Sequence, residues 1–173
     1  AVQPPGNYID GPMLWEYNRV DGSFSEQSNI YTDGAAASPS RITVMLINDT
    51  VAPASFTYSA RLTTGDDDGF GLIFGYENET TFYRVAFARQ GRTTGWPFMG
   101  WNVDRMNDRQ ITDLYGASTS ATNAGYVPFV NTVGVPFDVT ITVANNNLTL
   151  TAVEDPAGAA TVYNLVADQP LPS

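Results

Sequence analysis

Strict alternation of apolar and polar residues is the feature that most restricts what this chain can fold into. Phe56–Leu62 alternates in this way, and so do residues 137–143 and 148–152. Successive side chains of a strand point to opposite faces, so each segment predicts a strand with one face in a core and the other toward solvent. Asn145, Asn146 and Asn147 lie between the last two segments and predict a hairpin turn.

The same pattern extends over most of the chain, and no segment has a sustained helical period. Further strands are predicted at 13–18, 24–31, 42–47, 69–76, 81–89, 98–103, 111–115 and 161–166. Residues 116–134 are low in charge and predict the longest loop. Many short strands in 173 residues predict two packed antiparallel sheets, an all-β sandwich of the jelly-roll kind. The predicted core contains Phe56, Leu62, Leu72, Phe74, Val85, Phe87, Val139, Ile141, Leu148 and Leu150.

The sandwich is expected to occupy residues 1–173 as a single domain. Both ends are rich in Pro, so 1–7 and 167–173 are predicted to be linker stubs that join the domain to others in a longer protein. With no Cys the domain has no disulfide, and a chain of this length does not need one to be stable.

The charged and titratable residues exclude several functions. The chain has no His, Cys or Lys, and 18 acidic residues against eight Arg give a formal net charge of −10. A His-based triad, a Schiff base and a thiolate metal site are therefore excluded. Nucleic acid and anionic membranes are poor partners for so acidic a chain. Hard cations that prefer oxygen ligands remain possible.

Residues 65–89 are the most specific segment of the sequence. They read GDDDGFGLIFGYENETTFYRVAFAR: an acidic turn, a strand interrupted by Gly, a polar turn and an aromatic strand. This segment resembles concanavalin A-like domains of extracellular proteins, and locally the lectin-like C-terminal domain of thrombospondins. The resemblance implies the concanavalin A-like sandwich fold of an extracellular protein, and the biology of thrombospondin does not carry over. No match to thrombospondin follows after Arg89.

The two strands of this segment suggest where a ligand would bind. Phe70, Leu72 and Phe74 share one face, which we expect in the core, while Gly71 and Gly75 leave the other face with little side chain. The next strand would place Arg84 beside these glycines. Sugar rings stack on exposed Trp or Tyr, and their hydroxyls bond to Asn, Asp and Arg. The predicted glycan-binding residues are Gly71, Gly75, Arg84, Trp96, Trp101, Asn102, Asp104 and Tyr115. Each Trp also has core packing as an alternative.

Asp66, Asp67 and Asp68 form an acidic turn before the Gly-rich strand. Clustered carboxylates suit Ca²⁺, which takes roughly 6–8 oxygen ligands. The resemblance also favours a structural Ca²⁺ here, and the alternative is a solvated acidic turn.

The favoured function is glycan recognition by a non-catalytic, lectin-like module of a secreted or surface protein. The first alternative is a structural or adhesion module without a sugar site, which a covered sheet face would favour. The second is a polysaccharide hydrolase or lyase. The Glu-x-Asp-x-x-Glu motif of laminarinase-type hydrolases with this fold does not occur in the sequence, so no catalytic residue is predicted.

Overall fold

The structure is a computed structural model. It describes residues 15–26, 54–65, 69–78, 80–89, 99–108, 110–117, 126–154 and 160–171. The chain divides into two compact units, Ala1–Thr50 and Val51–Ser173. The prediction of one domain over 1–173 stays a prediction.

The described part of the first unit is a hairpin. Its strands are β1 (Trp15–Tyr17) and β2 (Phe24–Glu26), paired antiparallel. Asp21 accepts a hydrogen bond from the Ser23 backbone N–H, and Gly22 adopts a φ of 74°, so the turn between the strands has the residues that its conformation requires.

The described strands of the second unit form two four-stranded antiparallel sheets. The strands are β3 (Phe56–Leu62), β4 (Phe70–Asn78), β5 (Thr81–Ala88), β6 (Gly100–Asn107), β7 (Gln110–Gly116), β8 (Phe137–Ala144), β9 (Asn147–Glu154) and β10 (Thr161–Pro170). We call the sheet with order β10-β9-β8-β3 sheet I, and the sheet with order β4-β5-β6-β7 sheet II.

Aromatic side chains join the two sheets. Phe56 of β3 meets Phe74 of β4 with ring centroids 6.4 Å apart, and Phe137 of β8 meets Phe87 of β5 at 5.1 Å. The sheets therefore pack face to face, which confirms the predicted all-β, two-sheet antiparallel sandwich. Its membership of the concanavalin A-like superfamily stays a prediction.

The predicted core agrees with the structure. Eight of its ten residues are buried, and Phe56 and Leu62 are partly buried against the same cluster. The Asn hairpin is also present, because Asn145 and Asn146 have φ values of 52° and 62°, between the end of β8 and the start of β9. Two consecutive left-handed residues make a turn whose twist matches that of the flanking strands.

The chain end differs from the prediction. Residues 167–170 belong to β10 rather than to a linker, and Leu171 is 4% exposed in the core. Leu171 is held by Asn146, whose backbone carbonyl accepts from the Leu171 N–H at 2.9 Å and whose side chain donates to the Leu171 carbonyl at 2.6 Å. Pro170 marks the end of the strand, because it has no N–H to donate. Residues 1–7, and the strand predicted at 42–47, lie outside the described residues.

Candidate functional site

Charged and polar side chains form a row on the outer face of sheet II. Arg84 of β5 lies opposite Asp104 of β6, which lies opposite Asp113 of β7. Asn102 lies two residues before Asp104 and therefore on the same face. We call these four residues the outer network. Alternation places each of them on this face, and the strand register brings them together.

Hydrogen bonds hold the outer network tightly. Arg84 donates to Asp104 from Nη2 at 2.7 Å, and from Nε to the two carboxylate oxygens at 3.1 and 3.2 Å. Asn102 donates from Nδ2 to Asp113 at 2.8 Å. A guanidinium that meets a carboxylate through two nitrogens is fixed in direction as well as in position.

The centre of this face is buried. Arg84, Asn102 and Asp104 are 7%, 0% and 1% exposed, while Asp113 at the edge is exposed. The neighbouring outward side chains are also buried, namely Phe82, Ala86, Ala88 and Met106. The prediction of an open face around Arg84 is therefore wrong at the centre of the sheet.

Burial raises the pKa of the Asp104 carboxyl above its ordinary value. The positive charge of Arg84 and its hydrogen bonds oppose this rise, and the negative charge of Asp113 adds to it. A carboxylate taken from water needs a partner of opposite charge, and Arg84 is that partner. The outer network has the chemistry of a structural ion pair.

Backbone geometry explains why Gly71 and Gly75, both predicted to lie at the glycan site, are glycines. A Cβ on Gly71 would lie 1.9 Å from the carbonyl oxygen of Val85, so the close approach of β5 requires glycine there. Gly75 has a φ of 55° at an irregularity of the β4–β5 pairing, and a Cβ there would lie 2.9 Å from the Tyr83 ring. Both glycines are exposed on the edge strand, but neither needs a ligand to explain it.

Trp101 is a core residue rather than an exposed stacking platform. Its side chain is 1% exposed and donates from Nε1 to the Val127 carbonyl at 2.7 Å, with its ring stacked on Tyr126. It faces inward because it pairs with Phe87 on the core side of β5. The predicted stacking role of Trp101 is therefore wrong in this conformation.

Tyr115 is partly buried against the core, and its hydroxyl donates to the Pro170 carbonyl of β10. This bond links an edge strand of sheet II to an edge strand of sheet I.

Trp96 and the predicted Ca²⁺ ligands Asp66, Asp67 and Asp68 lie outside the described residues.

The outer face of sheet I has a different chemistry. It carries two rows of hydroxyl side chains, Thr57-Thr142-Thr149 and Ser59-Thr140-Thr151, each running across β3, β8 and β9. We call these six residues the hydroxyl face. Thr57 and Ser59 are exposed and the other four are partly exposed. Strand geometry spaces neighbours in a row by about 4.8 Å and the two rows by about 6.6 Å.

Each row is ordered by a hydrogen bond between side chains. The hydroxyls of Thr57 and Thr142 lie 3.1 Å apart, and those of Ser59 and Thr140 lie 2.9 Å apart. Each hydroxyl has one donor and two acceptor positions, so one bond within a pair leaves further hydrogen-bonding positions on both hydroxyls.

Charges lie beside the hydroxyl face and not within it. Arg61 and Asp138 form an exposed pair 3.9 Å apart at one end, and Asn147 donates to Asp168 at 3.0 Å near the other. The sequence contains the signal for this surface, since Thr140, Thr142, Thr149 and Thr151 are the polar positions of the alternating strands. Alternation predicts these strands, but it does not by itself assign a role to their outward residues.

No helix in the described ranges is long and apolar enough to cross a membrane. Comparison of the chain with family models, curated proteins and solved structures finds no match in any of the three.

Proposed function

We propose that this chain is a non-catalytic carbohydrate-binding module of a secreted or cell-surface protein, and that the hydroxyl face is its glycan surface. The observation that carries this proposal is the double row of hydroxyls on β3, β8 and β9, all of which are at least partly exposed. The rows provide regularly spaced hydrogen-bonding groups on strands, which hold side chains more precisely than loops do.

Charge favours a neutral ligand. The chain has a formal net charge of −10, but the six residues of the hydroxyl face are uncharged. At the end of this face, the positive charge of Arg61 is balanced by the negative charge of Asp138. A neutral glycan can exchange hydrogen bonds with this surface without bringing an unpaired charge to it, whereas an anionic polysaccharide would be repelled by the rest of the chain.

Binding without catalysis is supported by the outer network. Asp104 and Asp113 are two carboxyl groups on opposed residues of neighbouring strands, an arrangement that could serve acid–base chemistry in a cleft. Asp104 is 1% exposed and paired with Arg84, so a sugar has no direct access to it in this structure.

A structural module without a sugar site is the second candidate function. The buried centre of the sheet II outer face favours it, since the face that was expected to hold a glycan is covered and its charges are paired. The two candidates differ in one respect that can be measured, which is whether the hydroxyl face binds a neutral glycan.

Calorimetry with neutral and anionic oligosaccharides tests the proposal. We expect weak binding of neutral oligosaccharides, with dissociation constants of about millimolar to micromolar. Replacing Thr142 and Thr149 together with Val keeps the branched shape and removes two hydroxyls of one row. This variant should bind at least several-fold more weakly, with a melting temperature close to that of the parent.

The matched control is Thr112→Val, which removes an exposed hydroxyl from β7 of sheet II. It should bind like the parent. If the parent binds no glycan, the structural module replaces this proposal. If a glycan binds equally to the parent and to the double variant, the surface is elsewhere.

A further inference from the structure

Glu154 is a carboxylate at the end of the core. It is the last residue of β9 and continues the inward series Leu148, Leu150 and Ala152, all of which are buried. Its own side chain is 9% exposed. The Thr132 backbone N–H donates to Oε1 at 2.9 Å, and no arginine among the described residues lies within 4.0 Å of the carboxylate. A buried carboxylate is stable when it is paired or bound to a metal ion.

Asn131 is an unpartnered amide beside it. The residue is 1% exposed, and in the described part of the chain neither Nδ2 nor Oδ1 has a hydrogen-bond partner. Buried polar groups without a partner are rare and indicate a ligand that completes them, such as water or an ion. Asn131 is thus a buried amide without a partner, and the next residue, Thr132, binds the buried Glu154 carboxylate through its N–H.

The loop that carries Asn131 is held at several points. Phe129 packs in the core against Phe87 and Tyr163, with ring centroids 5.9 and 4.8 Å away. At its other end, the Gly134 N–H donates to the Thr64 carbonyl at 2.9 Å. These contacts hold the backbone on both sides of Asn131, whose side chain is buried.

The two groups are close enough to share one ion. One peptide unit separates Asn131 Cα from Thr132 N by about 2.4 Å, so Glu154 Oε1 lies within roughly 5 Å of that Cα. Ca²⁺ binds carboxylate, amide and backbone carbonyl oxygens at roughly 2.3–2.6 Å and tolerates irregular geometry. Both side chains can therefore reach a single coordination sphere.

We infer that Asn131 Oδ1 and a carboxylate oxygen of Glu154 are ligands of a Ca²⁺ ion at this end of the sandwich. Backbone carbonyls and water complete the coordination. The site rests on the described residues alone and does not depend on the carbohydrate-binding function.

Calorimetric titration of the metal-stripped protein with CaCl₂ tests this site, together with melting curves with and without Ca²⁺. A ligand that binds only the folded state raises the melting temperature, so Ca²⁺ should raise it in the parent. Glu154→Gln keeps an oxygen for the Thr132 N–H but removes the charge, and should weaken Ca²⁺ binding on the order of tenfold or more.

Asn131→Asp separates ligation from a purely structural role. A second carboxylate should tighten Ca²⁺ binding and enlarge the Ca²⁺-induced rise in melting temperature, while destabilising the metal-free protein by repulsion from Glu154. Asp138→Asn, which removes one charge from an exposed position on β8, is the control and should bind Ca²⁺ like the parent.

Three results would overturn the inference. In the first, Glu154→Gln binds Ca²⁺ like the parent. In the second, Asn131→Asp does not strengthen binding, which indicates that the amide holds only an internal water. In the third, changing Asp66, Asp67 and Asp68 to Asn abolishes the response while Glu154→Gln retains it, which assigns the ion to the acidic turn alone.

Discussion

The outer faces of the two sheets are built from the same alternating strands but differ in burial and in chemistry. Sheet II places Arg84, Asp104 and Asn102 outward and buries them. Sheet I places hydroxyls outward and leaves them at least partly exposed. Charge on an outward position is therefore not by itself a sign of a binding site. Where such a charge is buried and paired, its first effect is on stability, and the uncharged hydroxyl face is the more accessible of the two surfaces.

The largest expected difference between the two faces is in how much their ion pairs contribute to the free energy of unfolding. Arg84→Ala leaves the Asp104 carboxylate buried without its partner, and should lower the free energy of unfolding by about 3–5 kcal/mol. Arg61→Ala breaks the exposed pair with Asp138 on sheet I and should cost about 0.2–1 kcal/mol. Denaturant unfolding of both variants measures the contrast. Equal losses would show that burial does not distinguish the two pairs.

A smaller difference in the free energy of unfolding is expected between a methyl group added to sheet II and a hydroxyl removed from sheet I. Gly71→Ala forces a Cβ against the Val85 carbonyl oxygen, so β4 and β5 must separate, at an expected cost of about 1–3 kcal/mol. Ser59→Ala on the hydroxyl face should change the free energy of unfolding by about 0.5 kcal/mol or less. A Gly71→Ala variant as stable as the parent in denaturant unfolding would show that the β4–β5 approach tolerates a Cβ at this position.

The pH dependence of stability sharpens the description of sheet II. Because burial raises the pKa of Asp104 above 3.8, the folded state holds this proton more tightly than the unfolded state. The contribution of Asp104 to stability therefore increases as the pH falls through the raised pKa toward 3.8, and is lost as the pH rises again. The unfolding free energy of the parent, minus that of Asp104→Asn, should grow as the pH falls toward 3.8. A difference that shrinks on acidification would show that Arg84 lowers this pKa below its ordinary value.

Much of the fold was predictable from the sequence because local patterns determine it. Alternation located β3 to the residue, and three consecutive Asn residues located the β8–β9 turn, where two φ values are positive. Pro170 and Pro172 predict a linker over 167–173. The pairing of β10 with β9, which is a long-range property, keeps residues 167–170 in the sheet.

The candidate site was less predictable, since it depends on register and burial. Alternation predicts that Arg84 lies outward, but nothing local shows that it is opposed to Asp104 across β5 and β6 or that their face is covered. Residue type alone predicts a stacking platform at Trp101, whereas its inward position follows from pairing with Phe87. The partnerless amide of Asn131 depends on a loop whose path no periodicity determines.

A nuclear magnetic resonance titration with the neutral oligosaccharide that binds best tests the central claim most directly. The account predicts that the largest chemical-shift changes fall on outward residues of β3, β8 and β9, in particular Thr57, Thr142 and Thr149, and that resonances of Arg84, Asn102 and Asp104 stay unchanged. Changes centred on Arg84, Asn102 and Asp104, with the hydroxyl face unaffected, would contradict it.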